Sequence, residues 1–274
     1  MFNMFRNAIL VFALAVMTMA SSVAMDRDEF EQQMREVFSD PAMFTTITDQ
    51  FDLPQAKKDV LVDYLLGVFG DDRFIDMFIT EMAVQVDYNA LNDPDKRDKV
   101  MAQAMAFGYQ FSTSLVIKGM KRLPPEVATE YISMMGSLFD SLEPKYCRLF
   151  LTGVSTQEDE MDASLQLMKA FSTQELRYYF NISELSILSE LRDYPMPQVL
   201  NDYQIEAAMK AFDVEFEEKL LAHPSSSRIL NAFLEPNVAR DEDFCDAGRF
   251  FFNVISDMEG MTGEWYRVSF IQTL

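Results

Sequence analysis

The chain is short of the residues from which most protein chemistry is built. In 274 residues it has one histidine, two cysteines, one tryptophan and nine glycines. One histidine and two cysteines leave most metal centres and nucleophilic triads without their parts. No metal and no cofactor is implied, and no catalytic signature appears. Few glycines, with neither Asn-Gly nor Asp-Gly anywhere, remove the usual hairpin signals. Basic residues are scarce as well: 23 Lys and Arg face 44 Asp and Glu, a formal charge of −21. Nucleic acid and anionic membrane surfaces both need a basic footprint, so neither is expected as a partner.

Apolar residues are plentiful. They make up 49% of the chain and include 24 Phe and 20 Met, which sets it apart from chains too polar to offset the entropy of ordering. Residues 1–24 read as a secretory leader. Arg6 supplies a short positive region, Ala8 to Ala20 is apolar apart from Thr18, and Ser22 with Ala24 suits cleavage after Ala24. Cleavage after Ala20 is the less favoured site. The apolar run falls short of the ~20 residues a bilayer span needs, so no stable membrane anchor is expected once the leader is removed. The first cysteine is Cys147, which rules out a lipoprotein anchor near the cleavage region. The expected location is periplasmic or secreted.

An oxidising compartment changes how the cysteines read. Cys147 and Cys245 lie 98 residues apart and are expected to pair; in the chain-entropy model such a loop is worth about 4–5 kcal/mol before native strain. Two separately buried thiols are the other reading. A redox-catalytic pair is disfavoured, because there is no C-x-x-C and no flanking basic cluster.

Helix signals recur along the chain. Pro41, Pro54, Pro94, Pro124-Pro125, Pro144, Pro197 and Pro236 punctuate it, and proline is tolerated in a helix's first turn. Ser155-Thr156-Gln157-Glu158 and Ser172-Thr173-Gln174-Glu175 both fit the capping box. Helices are expected near 27–39, 41–52, 55–69, 72–90, 95–121, 125–142, 145–152, 156–170, 173–193, 198–222, 226–235, 241–259 and 263–273. Residues 25–274 then form a single all-helical domain, or two tightly packed halves: an all-α, irregular multi-helix bundle of roughly 11–13 helices. Val100 to Ile117 carries no charge, and Ala104, Gly108 and Ser112 form a stripe of small residues. A membrane reading exists for such stripes, but Gln103, Gln110, Ser112, Thr113 and Ser114 are many polar groups for hydrocarbon. This segment is expected to be the central helix, wrapped by the others.

Candidate chemistry is sparse. His223 is the one residue able to serve a histidine mechanism, and no G-x-S-x-G serine accompanies it; its simpler role is to end a helix, with a partly positive ring at the dipole's C-terminus and Ser225 to Ser227 starting the next. Asn92-Asp93-Pro94-Asp95 resembles a calcium loop but lacks its glycine and its terminal Glu. Glu158 to Glu160 and Asp241 to Asp243 read as helix starts. Aromatics offer more: Tyr178-Tyr179-Phe180, Phe250-Phe251-Phe252 and Trp265-Tyr266. Three consecutive aromatics cannot share one helix stripe, so Tyr178, Tyr179, Phe250, Phe251, Trp265 and Tyr266 are candidate interface anchors, with burial on two sides as the alternative. The functional expectation is an acidic exported protein that binds a basic protein partner stoichiometrically, as an immunity-type inhibitor of a periplasm-acting toxin or an envelope accessory factor. The alternatives are a carrier of a lipid or acyl chain in a Met/Phe-lined cavity, and an enzyme using carboxylates or His223.

Overall fold

The computed structural model describes residues 27–85, 94–153 and 157–273. The leader at 1–24, the cap at Ser155 and the end of the helix expected to reach 90 lie outside them. Among the described residues there are thirteen helices and no strand. They are α1 (Arg27–Phe38), α2 (Pro41–Thr48), α3 (Gln55–Phe69), α4 (Asp72–Gln85), α5 (Pro94–Met120), α6 (Pro125–Leu138), α7 (Pro144–Thr152), α8 (Gln157–Ala170), α9 (Thr173–Leu191), α10 (Asp202–Ala222), α11 (Ser226–Leu234), α12 (Asp241–Asp257) and α13 (Gly260–Thr273). The fold is all-α.

Local chemistry explains the boundaries. Pro41, Pro125 and Pro144 each open a helix, and Asp40 caps α2 by accepting the Ala42 N–H at 2.9 Å. At α9 the Ser172 and Glu175 side chains satisfy each other's backbone N–H groups at 3.2 and 2.7 Å. Two starts differ from expectation, and at the last helix α13 begins at Gly260 and not at 263. Asn201 and Gln204 form a second capping box at 3.0 Å in both directions, so α10 begins at Asp202 and not at 198. Residues 192–201 are left as an extended connector, because Pro195 and Pro197 deny it helical hydrogen bonds.

Two helices organise the packing. α9 lies against α3, α4, α5 and α6, while α12 lies against α6, α7, α10, α11 and α13. α6 touches both hubs, and one continuous apolar core runs through them. Around α4 the rings of Phe38, Phe69, Phe74, Phe78, Phe107 and Phe111 interlock at centroid distances of 4.5–6.4 Å. Around α12, Phe139 stacks on Phe252 at 5.7 Å. Cys147 of α7 is bonded to Cys245 of α12, with Cα atoms 5.0 Å apart, and the staple fastens α7 to the second hub. No helix among the described residues is long and apolar enough to cross a membrane.

The position of α5 corrects the sequence reading. It is the most extensive neighbour of α9, but Gln103, Ala106, Gln110 and Lys118 remain exposed on its outer side. Its polar groups meet water along one face, so it is covered on one side only. α9 is the more covered of the two, open to solvent along one narrow line at Gln174, Arg177, Asn181 and Leu185, and its inward serines hide their polarity: the hydroxyls of Ser183 and Ser186 donate to the carbonyls of Tyr179 and Ile182 at 2.9 and 2.7 Å. The small-residue stripe of α5 is buried, and it continues to Gly119, two turns past Ser112. There a Cβ would fall 1.8 Å from the backbone oxygen of Ser186.

Two stability predictions follow from this packing. Gly119→Ala collides with backbone that cannot step aside, and overpacking of this kind costs about 3 kcal/mol; urea unfolding should show that loss, and an unchanged midpoint would refute the close approach. The second concerns Glu184 of α9, whose carboxyl group lies over Gly67 of α3, where a Cβ would come within 2.4 Å of it. Burial raises its pKa above the ordinary carboxylate value. The folded state therefore holds this proton more tightly than the unfolded chain. The associated stability is complete below the unfolded pKa and is lost as pH rises through the raised folded value. The stability of Glu184→Gln relative to the parent should rise with pH across that window; a pH-independent difference would contradict the assignment.

Candidate docking face and clefts

The enclosure of α9 and α12 decides the fate of the aromatic candidates. All three rings of Phe250, Phe251 and Phe252 find cover, because α12 has neighbours around all but one narrow line, where Glu242, Asn253 and Asp257 are exposed. Phe250 meets Phe216 at 5.1 Å and His223 at 5.5 Å, Phe251 meets Phe212, Phe233 and Phe270, and Phe252 meets Phe139 and Phe270. Tyr179 is buried against Phe171, and Tyr266 stacks on Phe212 at 4.2 Å. Tyr179, Phe250 and Tyr266 are core residues and not surface anchors: a helix with several neighbours has no spare face for its aromatics. Trp265 is half-buried against the core. Tyr178 is half-buried, donates its hydroxyl to Glu130 of α6, and lines an open groove between α6 and α9. Phe251 lines a cleft described below.

His223 ends α10 as expected, but its role differs in detail. Nδ1 accepts the backbone N–H of Ser225 at 3.1 Å, so the ring serves as an acceptor in the turn. Ser225 holds the N-cap position of α11 without a capping bond; its hydroxyl accepts from Arg228 at 2.7 Å. Among the described residues no cluster of His, Cys, Asp and Glu is arranged to hold a metal ion.

A group of exposed apolar side chains lies instead on the connector between α9 and α10 and in the first turn of α10. Tyr194, Met196, Val199 and Tyr203 are 73%, 75%, 88% and 73% exposed. The backbone beneath them is tied down. The Arg122 side chain, only 10% exposed, donates to Glu190 at 2.7 Å, to Asp193 at 2.6 Å and to the Pro195 carbonyl at 3.1 Å. From the other side Gln272 of α13 donates to the Gln198 carbonyl. Asp193 takes φ 51°, a left-handed conformation that Asp tolerates better than most residues. Three large side chains are thus presented to solvent from an anchored connector, and Tyr203 joins them from the first turn of α10.

The connector runs directly into the outer face of α10. That face carries Met209 and Val214 beside Asp202, Glu206, Asp213, Glu217 and Glu218, all exposed. These five carboxylates have no ion-pair partner among the described residues, and Lys210 is the one exposed base among them. Lys219 is committed to Glu215 at 3.6 Å and Asp257 at 3.0 Å. Cations nearby are likewise consumed, Arg228 by Asp246 at 2.8 Å and Arg240 by Asp243 at 2.9 Å.

Beside α11 lies a cleft of 520 Å³. Its apolar lining is Leu151 of α7, Ala232 and Phe233 of α11, Pro236, and Phe244 and Phe251 of α12. The sequence suggests a Met/Phe cavity; this one has phenylalanine and no methionine. Arg148 at its edge bonds through each of its three nitrogens: Nε donates to Asp241 at 2.5 Å, Nη1 to the Pro236 carbonyl at 2.9 Å and Nη2 to the Ala239 carbonyl, with the guanidinium 4.5 Å over the Phe244 ring.

Sequence reasoning misses the connector because Tyr194 to Pro197 reads there as the junction of two helices. The signal was present in the alternation of Tyr, Pro, Met and Pro, which cannot continue either helix. Comparison with known proteins gives no match: no family model, no curated protein and no solved structure resembles the chain.

Arg122→Ala removes three charge-assisted bonds at once and leaves Glu190 without its partner. It should cost about 2–3 kcal/mol and release the connector. Amide exchange at residues 194–200 should accelerate more than exchange in α10; uniform acceleration would mean that Arg122 supports the whole fold and not the connector.

Proposed function

We propose that the chain binds a basic protein partner stoichiometrically, docking it on the connector and on the outer face of α10. The observation that carries this reading is the exposure of Tyr194, Met196, Val199 and Tyr203 on a backbone already held by Arg122 and Gln272. Large apolar side chains exposed on an anchored segment bind with little further loss of freedom, and aromatic anchors carry much of the energy at interfaces. The unpaired carboxylates of α10 supply the other half. They attract a cationic surface over long range and orient it before contact.

An immunity-type inhibitor of a toxin acting outside the cytoplasm would use such a face to cover a basic active surface; an accessory factor of an envelope machine would use it to hold a basic subunit. The disulfide between α7 and α12 is compatible with an extracytoplasmic setting, as both forms require.

The test begins with the chain as bait in a periplasmic extract at low and high salt, followed by kinetics with the partner recovered. Tyr194→Ser with Tyr203→Ser should weaken binding about 100-fold through faster dissociation, as loss of two interface anchors does. Neutralising Asp202, Glu206 and Asp213 as amides should slow association about tenfold and flatten its salt dependence. Association indifferent to salt, or an affinity untouched by the tyrosine changes, would defeat the proposal.

A further inference from the structure

We propose that the cleft between α7, α11 and α12 is a binding site for one aliphatic chain bearing an uncharged or cationic head group. Its volume, 520 Å³, falls within the range of about 300–1,000 Å³ typical of small-molecule sites. Six apolar residues line it, and water in such a place is poorly hydrogen-bonded and favourably displaced by an apolar chain. The lip is apolar too: Leu234 and Val238, flanking Pro236 and Asn237 in the chain, are 74% and 71% exposed.

The polar edge decides the head group. Among the described residues Arg148 is the only cation lining the cleft; its charge is paired with Asp241 at 2.5 Å, and Nη1 and Nη2 each donate to a connector carbonyl, of Pro236 and Ala239. Thr152 donates back to the Arg148 carbonyl at 2.9 Å. Asn237 alone among the lining residues keeps its polar group uncommitted, and Glu235 and Glu242 are exposed on the neighbouring turns. A carboxylate, sulfate or phosphate would compete with Asp241 for a cation already paired and would meet these acids. An uncharged group can bond to Asn237, and a cationic one is also drawn by the acids. The site is separate from the docking face, and the proposal stands whether or not that reading holds.

The probes are n-alkyl maltosides, n-alkyltrimethylammonium ions and n-alkyl sulfates with chains of about eight to about twelve carbons, titrated below their micelle concentrations by calorimetry. Maltosides and trimethylammonium ions should saturate a single site per chain, with affinity rising roughly fourfold for each added methylene. Sulfates of equal length should bind about tenfold more weakly. Asn237→Trp at the mouth and Ala232→Leu inside should each lower affinity at least about tenfold, while Tyr194→Ser with Met196→Ser on the connector leaves it unchanged. Asn237 is exposed, so that variant keeps its fold even where Ala232→Leu does not. Absence of saturation, indifference to chain length, equal binding of sulfates, or full affinity in a folded Asn237→Trp protein would overturn the proposal.

Discussion

Covering a helix around most of its circumference is the constraint on which the rest of this structure depends. Away from the narrow line left to solvent, on α9 at Gln174, Arg177, Asn181 and Leu185 and on α12 at Glu242, Asn253 and Asp257, such a helix has no water for its polar side chains, so each must find a partner within the protein or be absent. α9 meets this with serines that bond to its own backbone and with a backbone contact at Gly119; α12 meets it with aromatics at consecutive positions. Two such helices, joined through α6, bury many of the large apolar side chains, and the phenylalanines around α4 pack as a further part of the same core. Consecutive aromatics, which on a surface helix would demand a partner, are here demanded by the interior. The docking surface had to come from segments outside the two hubs.

Those segments share a device. Arg122 and Arg148 each stand at the edge of the helical body, and each turns its guanidinium onto the carbonyls of a proline-containing connector: Pro195 in one case, Pro236 and Ala239 in the other. Each also holds a carboxylate, Glu190 or Asp241. Removing a guanidinium from water is costly unless it is paired and hydrogen-bonded, and the connectors supply part of that with carbonyl groups that no helix could use. The exchange fixes irregular backbone in place without regular secondary structure. One connector displays the exposed tyrosines, and the other forms the lip of the apolar cleft.

Helix count and class were legible because proline, capping residues and the scarcity of glycine act locally: Ser172 to Glu175 caps α9 whatever surrounds it. The pairing of Cys147 with Cys245 was legible from compartment and number. What surrounds a helix was not legible. The absence of charge along Val100 to Ile117 suggested enclosure, yet α5 keeps Gln103 and Gln110 in water, while α9, with Glu184 and Glu190 in its sequence, packs against four helices and leaves only a narrow line to solvent. Periodicity reports how much of a helix is apolar but not how many neighbours it has. The connector was missed for a related reason: its proline alternation was visible, but its exposure depends on Arg122 and Gln272, which lie 73 and 74 residues away from their acceptors Pro195 and Gln198.

Charge shows the same division between interior and surface. In the C-terminal half the arginines and lysines are mostly spent holding the protein together: Arg148 on α12 and its connector, Arg228 and Arg249 on Asp246, and Lys219 on Asp257. Because acids outnumber bases almost two to one, every cation used internally leaves carboxylates at the surface without partners. The acidity of α10 therefore arises from how few cations there are to share, and it costs little where the side chains are fully hydrated. What makes this face more than a solvated helix is its neighbour: the same stretch of chain places apolar side chains beside the carboxylates, where a merely soluble surface would have placed more polar ones.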